Sequence, residues 1–298
     1  MSKHPPRIRI LVQNGAMLIR DGLSFTFYMC HPHAEVASAV MRSLEVYIQA
    51  VGGHHVLSRY SHEAAGWMEL GAADWTELRK ELLNPRSANI QLADVSSREN
   101  RYRFVYRGKP PSGSVFADEP GAVCAVSFWL PTEYLEEHGP GHVRELAMEL
   151  AAPLPFCSGH TGLSLNCETD LVGVKREVFE LSSRYPGMDI PDPSLSSLRI
   201  GTRVRGASWL TFLGHPVLRE LGGAAGLRSR LHSPGTTVQE MEGERAVITL
   251  GPKPEAGDAA RGDVLPAYRE LAHVLEPWLF QEPRASEEVR RWERRFLD

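Results

Sequence analysis

Three stretches of this chain repeat one grammar: a run of alternating apolar residues ends at a proline, and a helix-forming stretch follows. They are LSFTFYMCHPHAEVASAVMRSLEVYIQAVGG (23–53), CAVSFWLPTEYLEEHGPGHVRELAMELAAPL (124–154) and SWLTFLGHPVLRELGGAAGLRSRL (208–231). Side chains two apart on a strand share one face of a sheet, so Phe25, Phe27 and Met29, then Val126, Phe128 and Leu130, then Leu210 and Phe212, are expected to line a common core. Proline lacks the N–H that would find no partner in a first helical turn, which marks Pro32, Pro131 and Pro216 as helix starts. Strands alternating with helices in this manner predict an α+β fold of antiparallel or mixed sheets with helices packed on one face.

The first two stretches are alike beyond their strands. Each helix leads on to a loop and a further strand, HHVLSRYSHEAAGWMEL in one and FCSGHTGLSLNC in the other, and Pro32 and Pro131 lie 99 residues apart. Two related strand-helix-strand subdomains are therefore expected. Between them YRGKPPSGSVFADEPGA, rich in Pro, Gly and Ser, reads as a surface connection. That places a boundary near residues 108–121 and divides the chain into an N-terminal α+β subdomain, 1–110, and a C-terminal one with the last helices, 111–298. Further on, TTVQEMEGERAVITLG predicts two strands turning at Gly243, followed by the loop GPKPEAGDAARGD. Leu265, Tyr268, Leu271, Ala272 and Leu275 then recur at helical spacing, and Val289, Trp292 and Phe296 give the last helix one apolar face among arginines.

Composition excludes several classes of function. No run approaches the length of uncharged apolar residues a membrane helix needs, and polar Gln13 and Asn14 interrupt the only N-terminal stretch that would serve as a secretion signal. The four cysteines, Cys30, Cys124, Cys157 and Cys167, fit a reduced cytosol, with Cys30 and Cys124 acting as small hydrophobes in strand-like runs. A net charge of −4, from 37 acids and 33 bases, offers nothing to attract nucleic acid and mildly favours a basic partner.

The sequence lacks the motifs of catalysis. Twelve histidines include the clusters His31/His33 and His54/His55/His62, but neither these nor Cys157, His160 and Cys167 match a zinc-ligand spacing. Ser158 precedes a glycine but lacks the one two positions earlier that a nucleophile elbow uses, and Ser208 opens a strand where an elbow serine would follow one. GxxxxGK and GxGxxG are both missing. Carboxylates cluster at Glu136/Glu137, Glu168/Asp170, Asp189/Asp192 and Glu240/Glu242/Glu244, where the enzymatic reading needs convergence in a cleft and the binding reading needs only a surface that meets a cationic partner.

The stretch LRIGTRVRGASWLTFLGHPVLRELGG, continuing through SPGTTVQEMEGERAVITLGPKPEAGD to LPAYRELAHVLEPWL, resembles the TsiV-like type VI immunity proteins, a group long filed as a domain of unknown function. LSFTFYMCHPH, FWLPTEYLEEHGPGHVRELAMELA and FCSGHTGLSLN extend the resemblance over most of the chain. It implies a cytoplasmic antidote, with neither catalytic residues nor a cofactor, that blocks a cognate antibacterial toxin by stoichiometric binding; some members neutralise toxins with a VRR-type nuclease domain. Direct binding of nucleic acid or membrane is not implied. A nuclease cleft is cationic because it holds phosphate, so an acidic loop on the antidote would imitate the substrate. The residues that qualify are Glu255 and Asp258 in the GPKPEAGD loop, Glu240, Glu242 and Glu244, and Asp189 and Asp192. The competing expectations are a small hydrolase, a metal-dependent enzyme built from the histidines, or a binding domain with an unrelated partner.

Overall fold

The computed structural model describes residues 5–12, 15, 17–62, 66–71, 73–86, 88–94, 99–109, 119, 121–167, 169, 171 and 173–298. Its strands are β1 (Arg9–Leu11), β2 (Met17–Met29), β3 (Arg59–His62), β4 (Gly66–Glu69), β5 (Asn89–Ala93) and β6 (Arg103–Arg107). They continue with β7 (Cys124–Pro131), β8 (Ser158–Cys167), β9 (Leu210–Leu213), β10 (Thr236–Met241) and β11 (Arg245–Leu250). The helices are α1 (His33–Ala50), α2 (Asp74–Leu82), α3 (Thr132–Ala151), α4 (Val174–Arg184), α5 (Pro193–Ser196), α6 (Val217–Glu220), α7 (Gly223–Arg228), α8 (Pro266–Leu275) and α9 (Glu287–Glu293). The fold is α+β, as the sequence predicts.

Among the described residues all eleven strands belong to one sheet, in the order β10-β11-β9-β8-β2-β7-β6-β5-β3-β4, with β1 paired to β2 and every ladder antiparallel. The long strand β2 is the centre. Its odd-numbered side chains Leu23, Phe25, Phe27 and Met29 share one face with Val126, Phe128 and Leu130 of β7, and all are fully buried in the main core. On that face lie α1 and α3, which meet each other where the Ser43 hydroxyl of α1 donates to the Leu150 carbonyl at 2.8 Å. The expected proline starts hold with a small shift: Pro32, Pro131 and Pro216 each sit one residue before the helix, at its N-cap. The helix α3 bends within EEHGPGH, where Gly139 takes a φ of 80° that other residues resist and Pro140 follows.

The opposite face of the central strands is buried yet polar. It carries Ser24 and Thr26 of β2, Ser127 of β7, and Ser158, His160 and Ser164 of β8, each 3% exposed or less. Such a face is stable only if its groups find partners. The Thr26 and Ser127 hydroxyls bond each other at 2.9 Å, and the Ser158 hydroxyl donates to the Arg203 carbonyl at 2.8 Å. A second apolar cluster of Tyr28, Val123, Ala125, Ile200 and Phe280 closes one end of this face.

The β2–β7 register bears on the suspected repeat. Phe27 and Val126 face each other across the ladder, and they are separated by the same 99 residues as Pro32 and Pro131. An antiparallel pair has a local two-fold axis at each such position, and with this register the chain positions of β2 and α1 correspond, at an offset of 99, to those of β7 and α3. Beyond the helices the two stretches diverge: α1 leads to β3 near one edge of the sheet, whereas α3 leads to β8 beside β2. The Pro/Gly/Ser-rich connection at 108–121 falls mostly outside the described residues.

The crowding at the sheet centre gives a prediction. A methyl group on Gly22 would meet the Leu130 carbonyl oxygen at 2.8 Å and collide with the buried side chain of Asn166. Gly22→Ala is expected to cost about 1–3 kcal/mol as overpacking, a fall of several degrees in melting temperature by calorimetry. An unchanged midpoint would mean that β8 yields freely against β2.

Candidate recognition surface

The hairpin β10–β11 forms because TTVQEM and RAVITL alternate around a turn in which Gly243 (φ 72°) and Glu244 (φ 54°) both take left-handed backbone angles. Arg245 anchors the turn to the body. Its guanidinium donates to the carbonyls of Ala151, Ala152 and Leu154 and lies over the Phe156 ring, 4.9 Å from its centroid. The strand β10 is an edge of the sheet, and Arg228 of α7 covers part of it, donating twice to the Val238 carbonyl at 3.2 and 3.0 Å and once to Glu240 at 3.1 Å. A guanidinium spent on an edge carbonyl blunts pairing with a foreign strand. Glu240, Glu242 and Glu244 are left together at the exposed end of this hairpin. Beside them opens a cavity of about 720 Å³ lined by His215, Leu218, Arg219, Met241 and Arg245 as well as Glu240 and Glu244.

The other predicted carboxylates are engaged by the fold. Asp258 accepts from the Ala260 amide at 3.1 Å and faces Arg184 of α4 at 3.3 Å and Arg261 at 3.7 Å. Glu255 is half-buried, and its amide donates to the Tyr268 hydroxyl of α8 at 3.3 Å, while the next residue, Ala256, accepts from Gly187 at 2.7 Å. The GPKPEAGD loop thus ties α4 to α8. Asp192 caps α5, accepting from the Leu195 amide at 3.0 Å.

Asp189 lies deepest, at 5% exposure, on the polar face of the sheet, where it accepts from His160 Nε2 at 2.9 Å. Burial alone would raise its carboxyl, but the His160 ring and its hydrogen bond, with the guanidinium groups of Arg205 and Arg295 behind, outweigh that and hold it at about 2. The two arginines clasp Trp292 of α9, Arg205 at 4.5 Å and Arg295 at 4.0 Å from the ring centroid, and Arg205 also faces Glu293 at 3.5 Å. Trp292 of α9 and Phe296 in the turn after it are buried; the expected helix stops at Glu293, short of Phe296, and Val289 is only half-buried. This Asp189–Arg–Trp clasp escapes sequence reasoning because its members come from three separate segments.

The residues weighed for catalysis are dispersed. Ser158 bonds a carbonyl, Ser208 gives its amide to Thr211 at 3.1 Å, and the partner of His160 is Asp189. His33 is buried between the Tyr106 hydroxyl at 2.7 Å and the Asn84 carbonyl at 2.8 Å, and His54 packs edge-on to Trp75. The His62 side chain, Glu168 and Asp170 lie outside the described residues. Among the described residues no three His, Cys, Asp or Glu side chains converge as metal ligands, and no helix is long and apolar enough to cross a membrane. In SWLTFLGHP, Trp209, Leu210, Phe212 and Leu213 are core residues and β9 is an interior strand, while His215 stands exposed at the loop before α6.

Compared with known proteins, residues 39–298 match the model of the TsiV family, described as type VI immunity for VRR-NUC. Among solved structures, the Pseudomonas aeruginosa T6SS protein PA0821 superposes with a TM-score of 0.79 at 20% identity, covering 98% of this chain and 88% of that one. At that identity the likeness is one of fold. The comparison with curated proteins finds no match.

Proposed function

The chain belongs to the TsiV family of type VI immunity proteins, matched over residues 39–298, and from that premise we propose that it neutralises a cognate toxin bearing a VRR-type nuclease domain by occupying the toxin's active surface. The family match is the observation that carries this reading. Neutralisation is stoichiometric, without turnover, and takes place in the cytoplasm where nucleic acid is exposed to the toxin.

The recognition element we propose is the β10–β11 turn with Glu240, Glu242 and Glu244. A cleft that holds the phosphates of nucleic acid attracts carboxylates by the same field, and charges at a projecting turn act on a partner before contact is made. Asp192, Glu255 and Asp258 stand second, since each already serves a cap, an ion pair or a helix junction. Asp189 is shielded by its partners and contributes to the framework behind them.

Expression of the gene immediately upstream or downstream in a sensitive host, alone and then with this protein carrying an affinity tag, tests the reading. Growth arrest that the protein relieves, with a one-to-one complex recovered on the tag and nuclease activity titrated to zero at equivalence, is the expected outcome. Relief of toxicity without any complex would eliminate direct blockade.

A further inference from the structure

Two cysteines far apart in sequence meet at one end of the central strands. Cys30 follows the last residue of β2 and Cys157 precedes the first of β8, and the Cys157 amide donates to the Tyr28 carbonyl at 2.8 Å, holding the two backbones together. Their sulfurs are 2.6 Å apart, both are free thiols, and both line a cavity of about 390 Å³ that also contains His31, Phe156, His215 and Arg245. Cys30 is half-buried and reachable from that cavity, whereas Cys157 is 6% exposed. A disulfide needs its sulfurs at about 2.05 Å, so the pair already stands close to bonding distance. Cys124 is nearby but fully buried, its sulfur accepting from the Lys109 amide at 3.1 Å, and Cys167 ends β8 at the far side of the sheet.

We propose that Cys30 and Cys157 are a peroxide-responsive thiol pair that closes to a reversible intramolecular disulfide. The two sulfurs share a hydrogen bond at 2.6 Å, which lowers the Cys157 thiol below the ordinary cysteine value and raises that of Cys30, so Cys157 is the sulfur that more readily becomes the nucleophilic thiolate. Cys157 releases its proton and the thiolate attacks hydrogen peroxide; the O–O bond breaks, a sulfenic acid forms, and the departing hydroxide takes up the released proton as water. The Cys30 sulfur then attacks the sulfenic sulfur, the S–O bond breaks and the oxygen departs as water, taking up the Cys30 thiol proton. Two thiols and one peroxide become one disulfide and two waters. Each sulfur loses one electron and the peroxide gains two. In a reducing compartment such a bond is a transient, regulatory one, restored by dithiols. The cavity in which it forms is also lined by Gly243 and Arg245, so the linkage would clamp the floor beneath the acidic turn.

The test uses the full-length protein, reduced and then exposed to hydrogen peroxide, with free thiols blocked under denaturing conditions before intact-mass analysis. The expected product has lost two hydrogens, retains two blockable thiols, yields a linked peptide joining residues 30 and 157, returns to the starting mass with dithiothreitol, and melts several degrees higher while oxidised. Cys124→Ser is expected to behave as the native protein, and Cys30→Ser and Cys157→Ser to lose the linkage. Retention of all four thiols at excess peroxide, a linked peptide containing Cys124 or Cys167, or a two-hydrogen loss that persists in Cys30→Ser would each overturn the proposal. Peptide mapping of the native chain gives the answer even if a serine variant does not fold.

Discussion

Replacing Asp189 by asparagine is expected to lower the melting temperature by roughly 10 °C, the largest effect on stability foreseen for any single substitution here. The side chain keeps its shape but loses the charge that faces His160, Arg205 and Arg295, and Arg295 is already pushed down to about 10 by burial, against the support of Asp189. Breaking one member of a buried ionic cluster leaves the others uncompensated, at a cost of about 3–5 kcal/mol, which in a domain of this size corresponds to a shift of that order. A pH dependence accompanies it. The Asp189 carboxyl sits at about 2 when folded, against an ordinary 3.8, so its contribution is fully present above pH 3.8 and is lost as the pH falls through 2. The linkage amounts to about 2 kcal/mol, and chemical denaturation followed from pH 5 to pH 2 should show that loss in the native protein and not in Asp189→Asn. A variant that melts within about 1 kcal/mol of the native protein would mean that the clasp around Trp292 holds without its carboxylate.

The second large effect concerns association. Reversing Glu240, Glu242 and Glu244 together to lysine is expected to slow binding of the toxin by about 10- to 100-fold at low ionic strength, with the native and reversed proteins converging as salt is added. Melting should stay nearly constant, because all three side chains are exposed and the one ion pair lost, Glu240 with Arg228, is a surface pair worth about 0–1 kcal/mol. The same reversal at Glu255 and Asp258 is a useful contrast. Asp258 holds Arg184 and caps Ala260, so its replacement should loosen the junction of α4 with the 255–263 loop and show itself in the melt. Surface plasmon resonance over a salt series separates the two. If the triple reversal leaves the association rate unchanged at low salt, the hairpin is not the surface that meets the toxin.

What was legible in the sequence was local. Alternation in SFTFYM and VSFWL marks strands because side chains two apart share a face, and a proline at the next break marks where a helix starts; both hold in β2–α1 and β7–α3. The stripe Tyr268, Leu271, Ala272 and Leu275 is buried as its spacing requires. The order of strands was not legible, since antiparallel pairing joins residues with no fixed separation. Nor was the fate of the acids. GMDIPDPSL reads as a solvated loop, yet the chain at Asp189 runs beside β8 as a bridge to Ser164, and this turns the carboxylate toward a histidine 29 residues earlier. Glu240, Glu242 and Glu244 were easier, because a glycine turn between alternating strands sends its flanking residues outward wherever the hairpin lies.

The position of β2 between β7 and β8 has a consequence for how the protein comes into being. As the ribosome emits residues 17–29, the strand that will be buried on both faces has only the short β1 to pair with. Its first long neighbour, β7, follows at 124–131, and the second, β8, at 158–167. Until β7 arrives, no strand among the described residues bridges β2 to β3, β4, β5 and β6 in the sheet, so the nascent chain holds a set of outer strands and an unclosed centre. Contacts of such long sequence separation make for slow folding, because the entropy of closing the intervening loop is lost before any pairing repays it. During that interval LSFTFYM is an apolar strand with open edges, the kind of segment that chaperones shield and that aggregates when they do not.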